Sequence, residues 1–212
     1  YEPILKSATT ILSISKDDVE HFNAFGKVVF IPAFYNDEKS KLNEADRAPY
    51  VLFHGNLSVN ENELAAIKIM DTLGDEIRAD VIIAGANPSD TLIQKANQFK
   101  NVTLISNPSP AEMNNLVQGA QVNVLYAEKP SGVKLKLINA LFLGKHVMIN
   151  ESLNDGNIFQ DICTVTELES MLEEVGKLLE RPFTHEMQIT RNNFMENNFN
   201  NKANAQKILD LI

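Results

Sequence analysis

The stretch best equipped for chemistry is 127–146, AEKPSGVKLKLINALFLGKH, where four lysines stand against one acid in a chain of net charge −9. Ser131 and Gly132 lead into a predicted helix whose first turns carry Lys134 and Lys136, which is an anion site in outline. A helix start offers unpaired N–H groups and about half a positive charge, and a glycine lets a phosphate come close to the backbone. Two residues apart on a helix, side chains point roughly 200° from one another. Spacing alone therefore aims at most one of the two lysines at a bound anion, and it leaves solvated, snorkelling lysines as the alternative. The positive charge is local, since 151–180 holds eight acids against one lysine.

Other chemistries find little support. His54 sits beside Gly55 at the end of a predicted strand and is read as a half-buried packing residue rather than a base. His146 begins a predicted strand at the wrong edge, His21 and His185 lie in predicted helical segments, no histidine pair has metal-ligand spacing, and no Ser-His-Asp set can be assembled. No metal site follows, and no residue is designated catalytic. Cys163 is the single cysteine, which excludes an internal disulfide framework and a multi-cysteine zinc site and fits a reducing, cytoplasmic setting. With 19 basic against 28 acidic residues and a pI near 5.0, the chain is a poor match for nucleic acid phosphates or anionic lipid headgroups. No G-x-G-x-x-G follows a strand, so a dehydrogenase is not indicated. The predicted strand ends also lack the acidic cluster of a receiver domain.

The elements that must position such a site alternate. Short apolar runs, ILSIS, KVVFI, YVLFH, DVIIAG, VTLIS, VNVLY and HVMI, read as strands. Candidate helices fall between them at 16–25, 60–73, 89–99, 110–119 and 133–143, with apolar residues spaced by threes and fours. The strands are near-continuous hydrophobic runs, as in parallel sheets buried on both faces. The expected fold is therefore α/β, a doubly wound Rossmann-like parallel sheet with C-terminal helices. In such a sheet ligands bind where strand ends meet helix starts, which here means the loops HGNLSVN, AGANPSD, SNPSP and AEKPSG. The run ELESMLEEVGKLLE reads as an amphipathic helix with a solvated acidic face.

The polar segment 36–49 reads as a linker. It divides the chain into an N-terminal remnant and linker at 1–45, a Rossmann-like domain at 46–185 and a helical tail at 186–212. Compositional bias accounts for the asparagine-rich NNFMENNFNN within that tail. No apolar run approaches the roughly 20 residues of a membrane span. The chain opens on Tyr1 without a recognisable signal peptide, and a fragment of something longer is expected.

Taken together, SGVKLKLINALFLGKHVMIN resembles the donor-binding stretch in the C-terminal domain of glycosyltransferases with the two-domain GT-B fold, family-four retaining type. Phe53, Gly55 and Leu57 match the F-x-G-x-L that opens that domain, and Gly85 matches its second strand-end turn. Gly132, Lys134, Lys136, Ala140, Gly144, Lys145 and Val147 match the motif helix and its exit, while 9–35 and the tail resemble the end of the first domain and the closing helix. The resemblance implies a transferase whose substrate is a nucleotide diphosphate sugar, with no cofactor. It also implies a saccharide or lipid-linked acceptor held by an absent half, so that this piece alone is inactive. Any membrane association would come through that other half.

By the same resemblance, Gly55, Asn56, Gly132, Val133, Lys134 and Lys136 hold the donor diphosphate. Ser131 and Asn139 meet the donor sugar or ribose, and Asn107 with Pro108 meets the nucleobase. Two departures stand out. The paired glutamates of the family are replaced here by Ser131 and Asn139, and the basic residues after the first strand by Asn56, Asn60 and Glu61. A degenerate, non-catalytic nucleotide-sugar-binding domain and a nucleotide-sugar epimerase of the same fold are the alternatives.

Overall fold

The computed structural model describes residues 2–35, 48–128, 135–154 and 157–211. In chain order its elements are α1 (Glu2–Leu5), β1 (Ile11–Ser13), α2 (Lys16–Phe22), β2 (Val28–Phe30), β3 (Tyr50–Asn56), α3 (Asn60–Leu73), β4 (Asp80–Ala86), α4 (Asp90–Ala96), β5 (Val102–Ser106), α5 (Pro110–Gly119), β6 (Val122–Leu125), α6 (Leu135–Leu143), β7 (His146–Ile149), β8 (Thr164–Val165), α7 (Leu168–Glu180), α8 (His185–Phe199) and α9 (Asn201–Leu209). β1 and β2 pair in parallel as a small separate sheet, and the other six strands form one sheet of order β5-β4-β3-β6-β7-β8. Every pair in the larger sheet is parallel.

The expected doubly wound arrangement follows from which way alternate side chains point. Val51 and Phe53 of β3, with Val81 and Ile83 of β4, face a core shared with α3, α4 and α7. Tyr50, Leu52, Ile82 and Ala84 face the opposite core, shared with α5, α6 and Met195 of α8. Because both faces are covered, the strands have no polar side to expose, which is why their sequences do not alternate. Serines set two helix starts. The Ser89 hydroxyl accepts from the Leu92 amide at 3.0 Å. Ser109 and Glu112 form a reciprocal capping box ahead of Pro110.

The pattern-based boundaries hold for α3 and α5, while β3 and β4 run on to Asn56 and Ala86 and α2 stops at Phe22. The two-residue β8 was not anticipated, being too short to carry a periodic signal. The described part of α6 starts at Leu135.

The asparagine tract is not mere compositional bias. Asn200 caps α9 by accepting from the Ala203 amide at 2.8 Å. Asn201 exchanges two hydrogen bonds with the Tyr35 backbone, at 3.2 and 2.7 Å, and buried Asn204 donates to the Pro32 carbonyl at 3.3 Å. The tail thus fixes residues 32–35, where Tyr35 also packs edge-on against Phe142 of α6, ring centres 4.9 Å apart. Nearby, Arg191 of α8 is buried, donates to the Gly144 and Lys145 carbonyls just beyond α6, and lies 4.6 Å from the Phe183 ring centre. A cation there complements the negative end of α6, and burial draws its guanidinium pKa down to about 10. Cys163 beside it is half-buried, and desolvation pushes its thiol up to about 12, leaving it unreactive.

Candidate functional site at the sheet's switch point

The chain builds β3, β4 and β5 outward in one direction, then crosses by α5 to lay β6 on the other side of β3. That reversal makes the carboxyl ends of β3 and β6 a topological switch point, the place where open α/β sheets bind ligands. The local pairing fits a crevice. β3 keeps register with β4 as far as Asn56 and Ala86, whereas its register with β6 ends at Leu52 and Asn123.

Two helices flank this crevice, and a hydrogen bond joins them across it. Lys136, in the first turn of the described part of α6, donates from Nζ to Asn62 Oδ1 at the start of α3, at 2.9 Å. The ammonium also stands 5.4 Å from the centre of the Phe53 ring. Asn62 is held in turn, since its Nδ2 donates to the Asn56 carbonyl at 3.0 Å. It lies directly over Gly55, where an added Cβ would come within 3.2 Å of Asn62 Cγ. Lys136 is half-buried, and that desolvation pulls its pKa below the ordinary lysine value. Among the described residues no carboxylate pairs with it. A partly desolvated cation with only neutral partners is an electrostatic invitation to an anion.

His54 lies in the same strand, past the last residue that pairs with β6. It is buried rather than half-buried, 5% exposed, and among the described residues its Nε2 has no partner. Burial first, and the Lys136 charge second, lower its pKa to about 4. Because that is below the unfolded value of 6.5, the unfolded chain binds more protons between the two. His54 therefore contributes about 3 kcal/mol above pH ~6.5 that is lost as pH falls through ~4. His146, also lowered by burial, acts in the same sense, so the variant His54→Gln isolates the first group. Urea unfolding at neutral and acidic pH should show a smaller acid loss in His54→Gln than in the native chain; equal losses would refute the assignment.

Of the residues singled out in the sequence, Gly55, Asn56 and Lys136 come together at this crevice. The Asn56 side chain is folded back onto its own loop, accepting from the Ser58 amide at 3.2 Å and hydroxyl at 2.8 Å. Asn139 is half-buried one turn further along α6. Asn107 and Pro108 lie past the end of β5, two strands and about 10 Å from β3. Asn107 adopts a left-handed φ of 53°, and its Oδ1 accepts from the Asn87 amide at 2.8 Å. Ser131, Gly132, Val133 and Lys134 lie outside the described residues. His146 begins β7, at the opposite end of the sheet, where Nε2 meets the Arg181 carbonyl at 3.0 Å.

Two residues at this end of the sheet escape a reading of the sequence. Asn62 is one asparagine among several near a helix start, and only the fold brings it to Lys136. Asn150, buried just past β7, accepts from the Ala127 amide at 3.2 Å and donates to its carbonyl at 2.9 Å. Ser152 bonds the same carbonyl. Together they clamp the chain that leaves β6. Glu128 in that exit is paired with Lys68 of α3, whose ammonium lies 5.8 Å from the Tyr126 ring centre.

By sequence the chain matches no protein-family model and no curated protein. Among solved structures it is similar to a glycosyltransferase from Rickettsia africae, with TM-score 0.78 and 12% identity over 100% of this chain and 64% of that one. A TarM variant from S. aureus, solved with fondaparinux, alpha-GlcNAc-glycerol and UDP, gives TM-score 0.76 and 12% identity over 99% and 45%. Sucrose-phosphate synthase from Thermosynechococcus elongatus gives 0.76 and 16% over 99% and 59%. At these identities what is shared is the fold, and the fold is the Rossmann-like half of a GT-B architecture, as the sequence motifs implied. The chain spans less than two thirds of the length of each of these proteins. Among the described residues no helix is long and apolar enough to cross a membrane.

Proposed function

We propose that this chain is the nucleotide-sugar-binding half of a glycosyltransferase of the family-four retaining type. The whole protein would move a sugar from a nucleotide diphosphate donor to a saccharide or lipid-linked acceptor. The observation that carries the reading is the Lys136–Asn62 bond across the switch-point crevice, which holds a desolvated cation with no carboxylate partner among the described residues where the fold binds ligands. Glycosyl transfer breaks the bond between the sugar and the distal phosphate, and the departing diphosphate gains negative charge that a fixed cation stabilises. The residues present suit that task. Lys136 meets the diphosphate on leaving Asn62, Gly55 lets it approach the backbone, and the motif resemblance adds Gly132, Val133 and Lys134, which lie outside the described residues. Ser131 and Asn139 serve the sugar or ribose by hydrogen bonds, and Asn107 with Pro108 the base. The similarity to a TarM variant solved with UDP supports the same ligand class.

The test is a thermal-shift and calorimetric panel of UDP, GDP, ADP and their sugars against this chain. One nucleotide family should raise the melting temperature in a concentration-dependent way, as mass action requires. A panel without a single stabilising member would overturn the reading, and so would transfer activity by this piece alone, since the acceptor site is assigned to the other half.

A further inference from the structure

We propose that His54 is the second cation of the donor site: neutral while no anion is bound, it takes up a proton when the two phosphates of a nucleotide sugar settle beside Lys136. The inference rests on the donor-binding reading above and adds to it a residue that neither the motifs nor the fold comparison assigns.

The geometry comes first. His54 is in the strand that forms one wall of the crevice, beyond its last pairing with β6. Its Nε2 is buried and, among the described residues, without a hydrogen-bond partner. Native proteins rarely leave such an atom unsatisfied, because burial without a partner is costly. A packing role alone would be filled more cheaply by a leucine or valine, like the residues that precede His54 in the same strand.

Charge balance comes second. Both phosphates of a sugar-linked diphosphate are ionised at neutral pH, and among the described residues at these strand tips Lys136 is the cation available. The elements packed around β3 carry other charged groups: Glu61, Glu63 and Lys68 on α3, Asp90 on α4, Glu112 on α5 and Glu128 after β6. Glu63 is bonded to Ser89, Lys68 to Glu128 and Glu112 to Ser109. Among the described residues Lys136 of α6 is the charge that acts on the imidazole. In this surrounding burial first and the Lys136 charge second keep His54 neutral, whereas a doubly charged anion reverses the sign of the local field and favours the imidazolium. The proton comes from solvent, no covalent bond is made, and the charged ring then helps stabilise the diphosphate as it departs.

Calorimetric titration of this chain with UDP-glucose, GDP-mannose and ADP-glucose tests the idea, because none of these carries a group of its own that titrates near neutrality. At about pH 6 the binding heat should depend on the ionisation enthalpy of the buffer in the sense of proton uptake. Affinity should rise towards acid by up to about tenfold per pH unit. His54→Gln should bind more weakly, with no buffer dependence and a flat pH profile. Nucleotide-sugar binding without proton uptake, or equal uptake in His54→Gln, would overturn the role of His54 while leaving the donor-binding reading intact. Failure of all three donors to bind would remove both. Should the variant not fold, nitrogen-resolved NMR of the native chain gives the same decision: one of its four histidines converts to the charged form on adding the donor, or none does.

Discussion

Lys136→Met weakens nucleotide-sugar binding by at least about tenfold and leaves the melting temperature unchanged or higher. The two halves of that expectation have one cause. Lys136 holds a charge in a half-buried place and, among the described residues, bonds only the neutral Asn62 carbonyl oxygen, with the Phe53 ring beside it. Methionine keeps the stem that packs on Phe53 and sheds the desolvated ammonium, so the fold gains what the site loses. The pH dependence follows with a definite sign. A lysine whose folded pKa is below its ordinary value binds protons less well in the native state, so native stability rises as pH climbs from the folded pKa towards ~10.4, and the variant lacks that rise. Calorimetric titration together with thermal unfolding at neutral and alkaline pH measures both halves. A dissociation constant equal to that of the native chain would remove Lys136 from the site.

The sheet was legible because burial on both faces leaves its mark residue by residue. Val51, Leu52 and Phe53, and Val81, Ile82 and Ile83, are all essentially inaccessible, and no solvent-facing pattern would have produced those runs. Helix α3 was legible from the spacing of Leu64, Ile67, Met70 and Leu73. Of these Met70 and Leu73 are buried, Ile67 is half-buried and Leu64 is exposed, the buried stripe running instead through Ala65, Ala66 and Ile69. What the pattern could not supply was partnership over long separations. Asn201 and Asn204 look like compositional drift until Tyr35 and Pro32 are brought beside them, 166 and 172 residues away in the chain. A polar residue that bonds backbone leaves no periodic trace, so its role is invisible to a reading based on apolar spacing.

The candidate site divides in the same way. The meeting of Gly55 and Lys136 at one crevice was legible because each belongs to a motif with a mechanical reason, close backbone approach in one case and a cation for an anion in the other. Asn62 was not, because its function is to receive a lysine 74 residues further on. His54 was seen but underestimated. Its position at a strand end suggested partial exposure, whereas the fold buries it with one ring nitrogen unpartnered among the described residues. The lesson is physical: a titratable residue inside an otherwise apolar strand is worth examining for ligand-linked protonation before being assigned to packing.

Gly85→Ala should largely abolish the native fold, at a cost above about 4 kcal/mol against the ~5–15 kcal/mol that holds a domain together. The obstacle is space. A Cβ at residue 85 would stand 1.9 Å from the Gly55 carbonyl oxygen and 2.8 Å from Leu57 Cγ. Backbone cannot move aside as a flexible side chain can, so β3 and β4 must separate at the point where Gly55 and Gly85 are in register. Separation also strains the bond from the Leu57 amide to the Ala86 carbonyl, 2.9 Å, and that from the Asn107 amide to the Gly85 carbonyl, 2.8 Å. Any molecules that still fold would carry Gly55 away from Asn62, and with it the anchor of Lys136, so residual protein should bind nucleotide sugars poorly. Gly176→Ala is the matched control, because nothing lies within 4 Å of its added Cβ; in the α7 helix it should stabilise by roughly 1 kcal/mol. Thermal unfolding of the pair decides the point: a Gly85→Ala chain that melts within a few degrees of the native one would mean that the two strand tips are not as close as the site requires.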